Sequence, residues 1–187
     1  MKNAKKYIDV AINKNPQNLN YKKLKAEIAL QDNKTKNMQA TLCAIAIDEN
    51  DNLNTVNVGD SRMYRYRRGN IKQISRDQSL VQLLYEEGTI TADEKKHHVH
   101  KNIIFPVMGN ISAEPKPDIK NLNEIMKYGD LILICSDGLS DYVSCTEMED
   151  ILDLPAKLPK RLERLVKLAI DNGSQDNITI IALCCYD

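Results

Sequence analysis

Two short apolar runs, each flanked by an aspartate, constrain this chain more than anything else in it. Leu131 to Cys135 is a short, unbroken apolar run fit for a buried strand. It stops at Ser136-Asp137-Gly138, a sequence that turns tightly and leaves a carboxylate at the strand mouth. The stretch Asn177 to Cys185 mirrors it, with Gly173-Ser174-Gln175-Asp176 leading an acidic residue into an isoleucine- and leucine-rich strand. Two carboxylates at the ends of two buried strands point to a site for a hard, oxygen-preferring cation. The plainer reading is that each Asp ends its strand and accepts hydrogen bonds from nearby amides, as turn aspartates do.

The surrounding pattern reads as an α+β chain. Residues 4–13 and 18–30 carry helical apolar spacing and are separated by Asn15-Pro16-Gln17-Asn18, so 1–37 is expected as a helix pair. Short strands follow at Thr41–Asp48, Asn52–Val58, Arg62–Arg67 and Asn70–Ser75, with turns at 49–52 and 68–70, and are expected to form an antiparallel meander. Ser79 caps a helix over Leu80–Glu87 that ends at Gly88, and Thr91-Ala92-Asp93-Glu94 is a capping box opening a second short helix. Polar sequence with three prolines makes 88–120 a flap-like insertion. Strand 130–136, helices over Thr146–Leu152 and Lys160–Asp171, and a last strand over 177–185 complete the order. Helices on either side of antiparallel strands predict a layered sandwich.

At 187 residues the chain suits one domain with a buried core. Lys plus Arg and Asp plus Glu number 26 each, so no net field draws the chain to nucleic acid or to an anionic membrane. No run approaches a membrane span. The five cysteines show no Cys-x-x-Cys spacing, and Cys43, Cys135, Cys184 and Cys185 lie in apolar runs. With no signal peptide ahead of them, reduced core thiols and a cytoplasmic location are expected.

Four strings in this order resemble the metal-dependent protein phosphatases of type 2C, above all the bacterial serine/threonine forms. They are Val56-Asn57-Val58-Gly59-Asp60-Ser61-Arg62, Ile74-Ser75-Arg76-Asp77-Gln78-Ser79-Leu80-Val81, Gly129 to Leu139, and Asp176-Asn177-Ile178-Thr179. The resemblance implies a four-layer αββα sandwich and hydrolysis of phosphoserine or phosphothreonine in phosphorylated proteins by a metal-activated water. Mn2+ or Mg2+ is the implied cofactor. By resemblance Asp137 and Asp176 are carboxylates of the second metal, Asp60 shares a third with Asp137, and Gly138, Asn177 and Ser136 support them. The alternatives stay beside these roles. Asp60-Ser61-Arg62 also reads as a hairpin turn with Arg62 pairing Asp60, and Asp77 and Asp141 read as surface turn residues. His97, His98 and His100 fall on the flap, where a transition-metal site or an idle, solvated surface are both open.

The chain also departs from the family. No Asp-Gly-x-x-Gly string, whose Asp bridges the two metals in the family, precedes Asp137 in this sequence, and Gln78 stands where the family has His. An N-terminally truncated sandwich is therefore expected, with weak metal binding and a sheet covered by a dimer mate or a separate N-terminal piece. Three functions stay open: a type 2C phosphatase chain, a catalytically silent pseudophosphatase that binds phosphoproteins, or a relative in fold only, with a structural or oligomerising role and no divalent-ion binding.

Overall fold

The structure, a computed structural model, describes residues 39–47, 52–110 and 113–185. The helix pair expected over 1–37 lies outside the described residues. Among those described, strands β1 (Leu42–Ile47), β2 (Asn52–Val58) and β5 (Asp118–Ile125) form one antiparallel sheet in the order β1-β2-β5. Strands β3 (Arg62–Arg67), β4 (Asn70–Gln73), β6 (Leu131–Cys135) and β7 (Ile180–Cys184) form a second, ordered β4-β3-β6-β7. Helices α1 (Leu80–Glu86) and α2 (Ala92–His97) lie between β4 and β5 in the chain. A single turn α3 (Asp137–Ser140), then α4 (Cys145–Leu152) and α5 (Leu158–Asp171), separate β6 from β7. The α+β sandwich of antiparallel sheets flanked by helices is the expected class.

The uninterrupted apolar run of β6 has a direct cause. Leu131, Leu133 and Cys135 point into a core with Leu139, Met148, Leu152, Leu165 and Ala169 of the helical side. Ile132 and Ile134 point the other way, into a second core with Leu53, Met63 and Met126 between the sheets. A strand covered on both faces needs no polar alternation. Each fully buried Leu or Ile contributes about 1.5–3 kcal/mol, and β6 joins the two cores together with β3, whose Tyr64 and Met63 divide between them in the same way.

Two expectations need correction. The four strands after residue 40 are not one meander: β1 and β2 belong to one sheet, β3 and β4 to the other, and the chain crosses between them at Gly59-Asp60-Ser61. The hydrophobic pattern cannot reveal this, because inward positions of both sheets face the same interlayer core. The strand β5 was not expected at all, since Asp118 to Ile125 is mostly polar. It forms because β2 offers it backbone partners, Asn57 opposite Asp118 and Val56 opposite Ile119. The helix caps are as expected. The Ser79 hydroxyl accepts from the Gln82 amide at 3.3 Å, and Thr91 with Glu94 makes a reciprocal capping box. Ser144 with Glu147 makes another at the start of α4.

Candidate functional site

Asp137 and Asp176 are brought together by a short lacing of the chain around them. The Ser136 amide donates to the Thr179 carbonyl at 3.1 Å. The Ser136 hydroxyl donates to the Asn177 carbonyl at 2.9 Å and accepts from the Thr179 amide at 3.1 Å. From the other side, the Ser174 hydroxyl donates to the Gly138 carbonyl at 2.8 Å. Gly138 completes the fit, because a Cβ there would stand 2.7 Å from the Asn177 carbonyl oxygen. Segment 174–179 therefore lies directly along 136–138, and the two aspartates sit on adjacent turns. Each carboxylate accepts its own following amide: Gly138 to Asp137 at 2.9 Å, and Asn177 to Asp176 at 2.6 Å. It is the Asn177 backbone that braces Asp176 in this way.

Asp60 arrives from the crossover between sheets. Gly59 holds φ at +101°, and a Cβ at that position would fall 2.5 Å from Thr41 Cγ2. The Gly59 amide donates to Gln78 Oε1 at 2.9 Å, while the Gln78 amide donates back to the Gly59 carbonyl at 3.0 Å. Asn57 Nδ2 donates to the same carbonyl at 3.1 Å. The buried Gln78 also donates from Nε2 to the Lys116 carbonyl at 2.7 Å, so it latches the crossover to the segment leading into β5.

The carboxylates repel one another. Burial and then the charge of Asp137 push the Asp60 carboxyl up to about 6, with Asp77 and Asp141 adding smaller contributions. Burial, then Asp176 and Asp141, push Asp137 above the usual carboxylate range. Such half-buried carboxylates, all oxygen donors with charge left to neutralise, fit a hard divalent cation in donor chemistry. Among the described residues, however, no three His, Cys, Asp or Glu side chains converge closely enough to hold an ion by themselves. The described carboxylates form an acidic wall at the strand mouth. The histidines are not part of it: His97 and His100 are exposed, and the His98 and His100 rings stand 5.6 Å apart and tilted.

Two plainer readings of charged residues do not hold. Arg62 pairs with Asp77 and not with Asp60. Its Nε lies 3.1 and 2.9 Å from the two Asp77 oxygens, and a terminal nitrogen lies 2.8 Å from one of them. Asp77 is no surface turn residue, since its side chain is 1% exposed. Gln73 donates to it at 2.7 Å, and Lys95 of α2 lies 3.5 Å away. Asp141 lies 3.4 Å from Arg62 and 3.7 Å from Lys101. The sequence signal for this network was thin: Arg62 two positions after Asp60, and an acid inside Arg76-Asp77-Gln78.

A scan against models of known protein families matches none. Individual proteins do match. The serine/threonine protein phosphatase PstP of Mycobacterium tuberculosis is 36% identical over 150 residues, 80% of this chain and 28% of its own length. The crystal structure of the phosphatase Stp1 from Staphylococcus aureus superposes with a TM-score of 0.75 at 30% identity, covering 94% of this chain and 71% of that one. The PstP catalytic domain in complex with two manganese ions gives a TM-score of 0.71 at 33% identity, covering 87% and 65%. The chain spans between 28% and 59% of the length of the curated relatives it matches.

Proposed function

The chain belongs to the type 2C, metal-dependent family of serine/threonine protein phosphatases, and from that membership we propose that it takes part in hydrolysing phosphoserine and phosphothreonine in phosphorylated proteins. In this reading Asp137 and Asp176 carry one divalent ion, and Asp60 faces a further ion together with Asp137. The observation that supports it best is the lacing of Ser136, Gly138, Ser174 and Asn177. It sets two carboxylates side by side at the mouth of the central strand, where burial and the neighbouring charges of Asp176 and Asp141 disfavour the ionised form of Asp137 unless a cation is near.

Mn2+ or Mg2+ at this wall would supply Lewis acidity toward a phosphoryl group and a water molecule. The chain's own residues do the holding. The amides of Gly138 and Asn177 each bind Oδ1 of the preceding aspartate, which fixes the direction in which each carboxylate faces. Asp60 stays on a turn fixed by Gln78 and Gly59. With the described donors alone, the dissociation constant for Mn2+ is expected on the order of 0.1–1 mM, as at ligand-poor oxygen sites.

One observation favours a second reading, a scaffold that binds phosphoproteins without turnover: no three described donors converge. The edges of the sheets bear on the partner question as well. Ile47 on β1 and Ile181 on β7 are each 42% exposed on outer strands, which suits a covering segment or second copy. Among the described residues no helix is long and apolar enough to cross a membrane.

The deciding experiment is Mn2+-dependent hydrolysis of a small aryl phosphate and of a phosphothreonine peptide, with Asp137→Asn as control and Mn2+ binding followed by calorimetry. Turnover lost in the variant carries the phosphatase reading. Mn2+ and phosphopeptide binding without turnover carries the scaffold reading. Absence of any Mn2+ binding by folded protein would sink both metal-based roles.

A further inference from the structure

The Arg62–Asp77 pair is buried, complete and placed at the same mouth as the aspartates. A buried ion pair contributes little net stability, because desolvation offsets its attraction, so its position calls for a geometric role. All of the Arg62 guanidinium is engaged. Nε and one terminal nitrogen hold Asp77, and the other terminal nitrogen donates to the Ser140 carbonyl at 2.8 Å. Ser140 is the last residue of α3, and Asp137 is the first. A single helical turn has no stability of its own, and its last carbonyls lack partners within the helix. The turn is tied at its start by Ser136 and Ser174, and at its end by Arg62.

The strand register explains why Arg62 is the residue in reach. Arg62 lies directly opposite Cys135, the last residue of β6 before α3 departs. On its other side it is separated from Asp60 only by Ser61. One side chain thus spans from the turn carrying Asp60 to the turn carrying Asp137. Its own orientation is set by Asp77, which Gln73 and Lys95 hold in turn.

We propose that Arg62 and Asp77 are positioning residues: Asp77 orients the Arg62 fork, and Arg62 holds the end of α3 so that Asp137 and Asp60 keep a fixed separation, with Lys95 linking that geometry to α2. This rests on the metal-centre reading given above. The pair Arg67–Asp130 is a natural control. It is another bidentate pair anchored on β3, at 2.7 and 2.5 Å, but at the opposite end of that strand, where Arg67 meets Asp130 just before β6, away from the aspartates.

The test uses the full chain in four variants, Arg62→Lys, Asp77→Asn, Lys95→Met and the control Asp130→Asn. Mn2+ affinity is measured by calorimetry, and hydrogen exchange is followed at the amides of Leu139, Ser140 and Asp141. Arg62→Lys keeps the charge but loses the fork. It and Asp77→Asn are expected to weaken Mn2+ binding about tenfold, the lower end of what groups orienting metal ligands do, and to speed exchange at the three amides. Lys95→Met is expected to shift both in the same direction but by less than Arg62→Lys, since Lys95 reaches Asp77 at the longer distance of 3.5 Å. Asp130→Asn is expected to lower stability while leaving Mn2+ affinity and those amides unchanged. If Asp77→Asn fails to fold, Arg62→Lys and Lys95→Met decide.

Wild-type Mn2+ affinity and wild-type exchange in folded Arg62→Lys and Lys95→Met would overturn the positioning role and leave the phosphatase reading standing. Faster exchange in those variants, in a protein that binds no Mn2+ at all, would sustain the coupling and sink the metal reading instead.

Discussion

Gly138 leaves no room for a side chain between the two aspartate-bearing segments. A methyl group there meets the Asn177 carbonyl oxygen at 2.7 Å, a backbone atom that cannot step aside without moving the whole 174–179 segment. Gly138→Ala is therefore expected to cost about 1–3 kcal/mol in denaturant unfolding, as overpacking does, and to weaken Mn2+ binding because Asp137 and Asp176 are forced apart. An Ala variant with native stability would show that the two segments are not held as closely as described. Gly59 faces a comparable limit from Thr41, with a positive φ added. Asp137 and Asp176 stood out in the sequence because each sits beside an apolar strand and near glycine, and Asp60 only through the family resemblance of its string. Asp77 did not. Its role comes from Arg62, fifteen positions away in sequence, and from Lys95, eighteen away, and no local pattern announces such partners.

The helices differ in what their caps can do. Helices α2 and α4 open with the same device, Thr91 with Glu94 and Ser144 with Glu147. Only α4 buries side chains, Met148 and Leu152, whereas α2 buries none. A cap lost from α4 should therefore be felt by the whole fold, and a cap lost from α2 only locally. Ser144→Ala is expected to lower unfolding free energy by about 1 kcal/mol. Thr91→Ala is expected to leave global stability unchanged and to speed amide exchange within 92–97. Equal global losses from both would mean that α2 is as firmly docked as α4. Packing gives a further contrast. Leu165 of α5 is fully buried in the helical-side core, so Leu165→Ala should cost about 2–5 kcal/mol by calorimetric melting. The Ser79 and Thr91 caps and the apolar runs were read in the sequence because both depend on neighbours within a few positions, whereas the Ser144 box emerged with the structure. Strand β5 was not, since its polar residues become a strand only when β2 is there to pair with them.

Acid stability joins distant parts of the molecule. Burial alone would raise the Asp77 carboxyl, but the charge and hydrogen bonds of Arg62, with Lys95 and Gln73, hold it below the usual carboxylate range. Burial would likewise raise Asp130, yet the Arg67 hydrogen bonds and the Lys127 amide hold it low. Both folded values lie below the unfolded value, so in acid the unfolded chain takes up the extra protons. Their stabilisation is complete above the unfolded carboxylate value of about 3.9 and is lost as pH falls through the folded values. Melting temperature should therefore drop below about pH 4, and Asp130→Asn should flatten part of that slope while lowering the melting temperature at neutral pH. A wild-type protein that melts alike at pH 5 and pH 2 would contradict both pairs. The amino-acid order was enough to establish the class of fold, a buried strand over 131–135, the caps at Ser79 and Thr91, and the two aspartates beside apolar strands. All of these are written in local periodicity and turn chemistry. Only the folded chain decided which sheet each strand joined, that Asp60 lies on a crossover, and that Arg62 turns to Asp77. Those depend on contacts between segments far apart in sequence, where backbone pairing and buried charge select one partner among several that local pattern leaves equal.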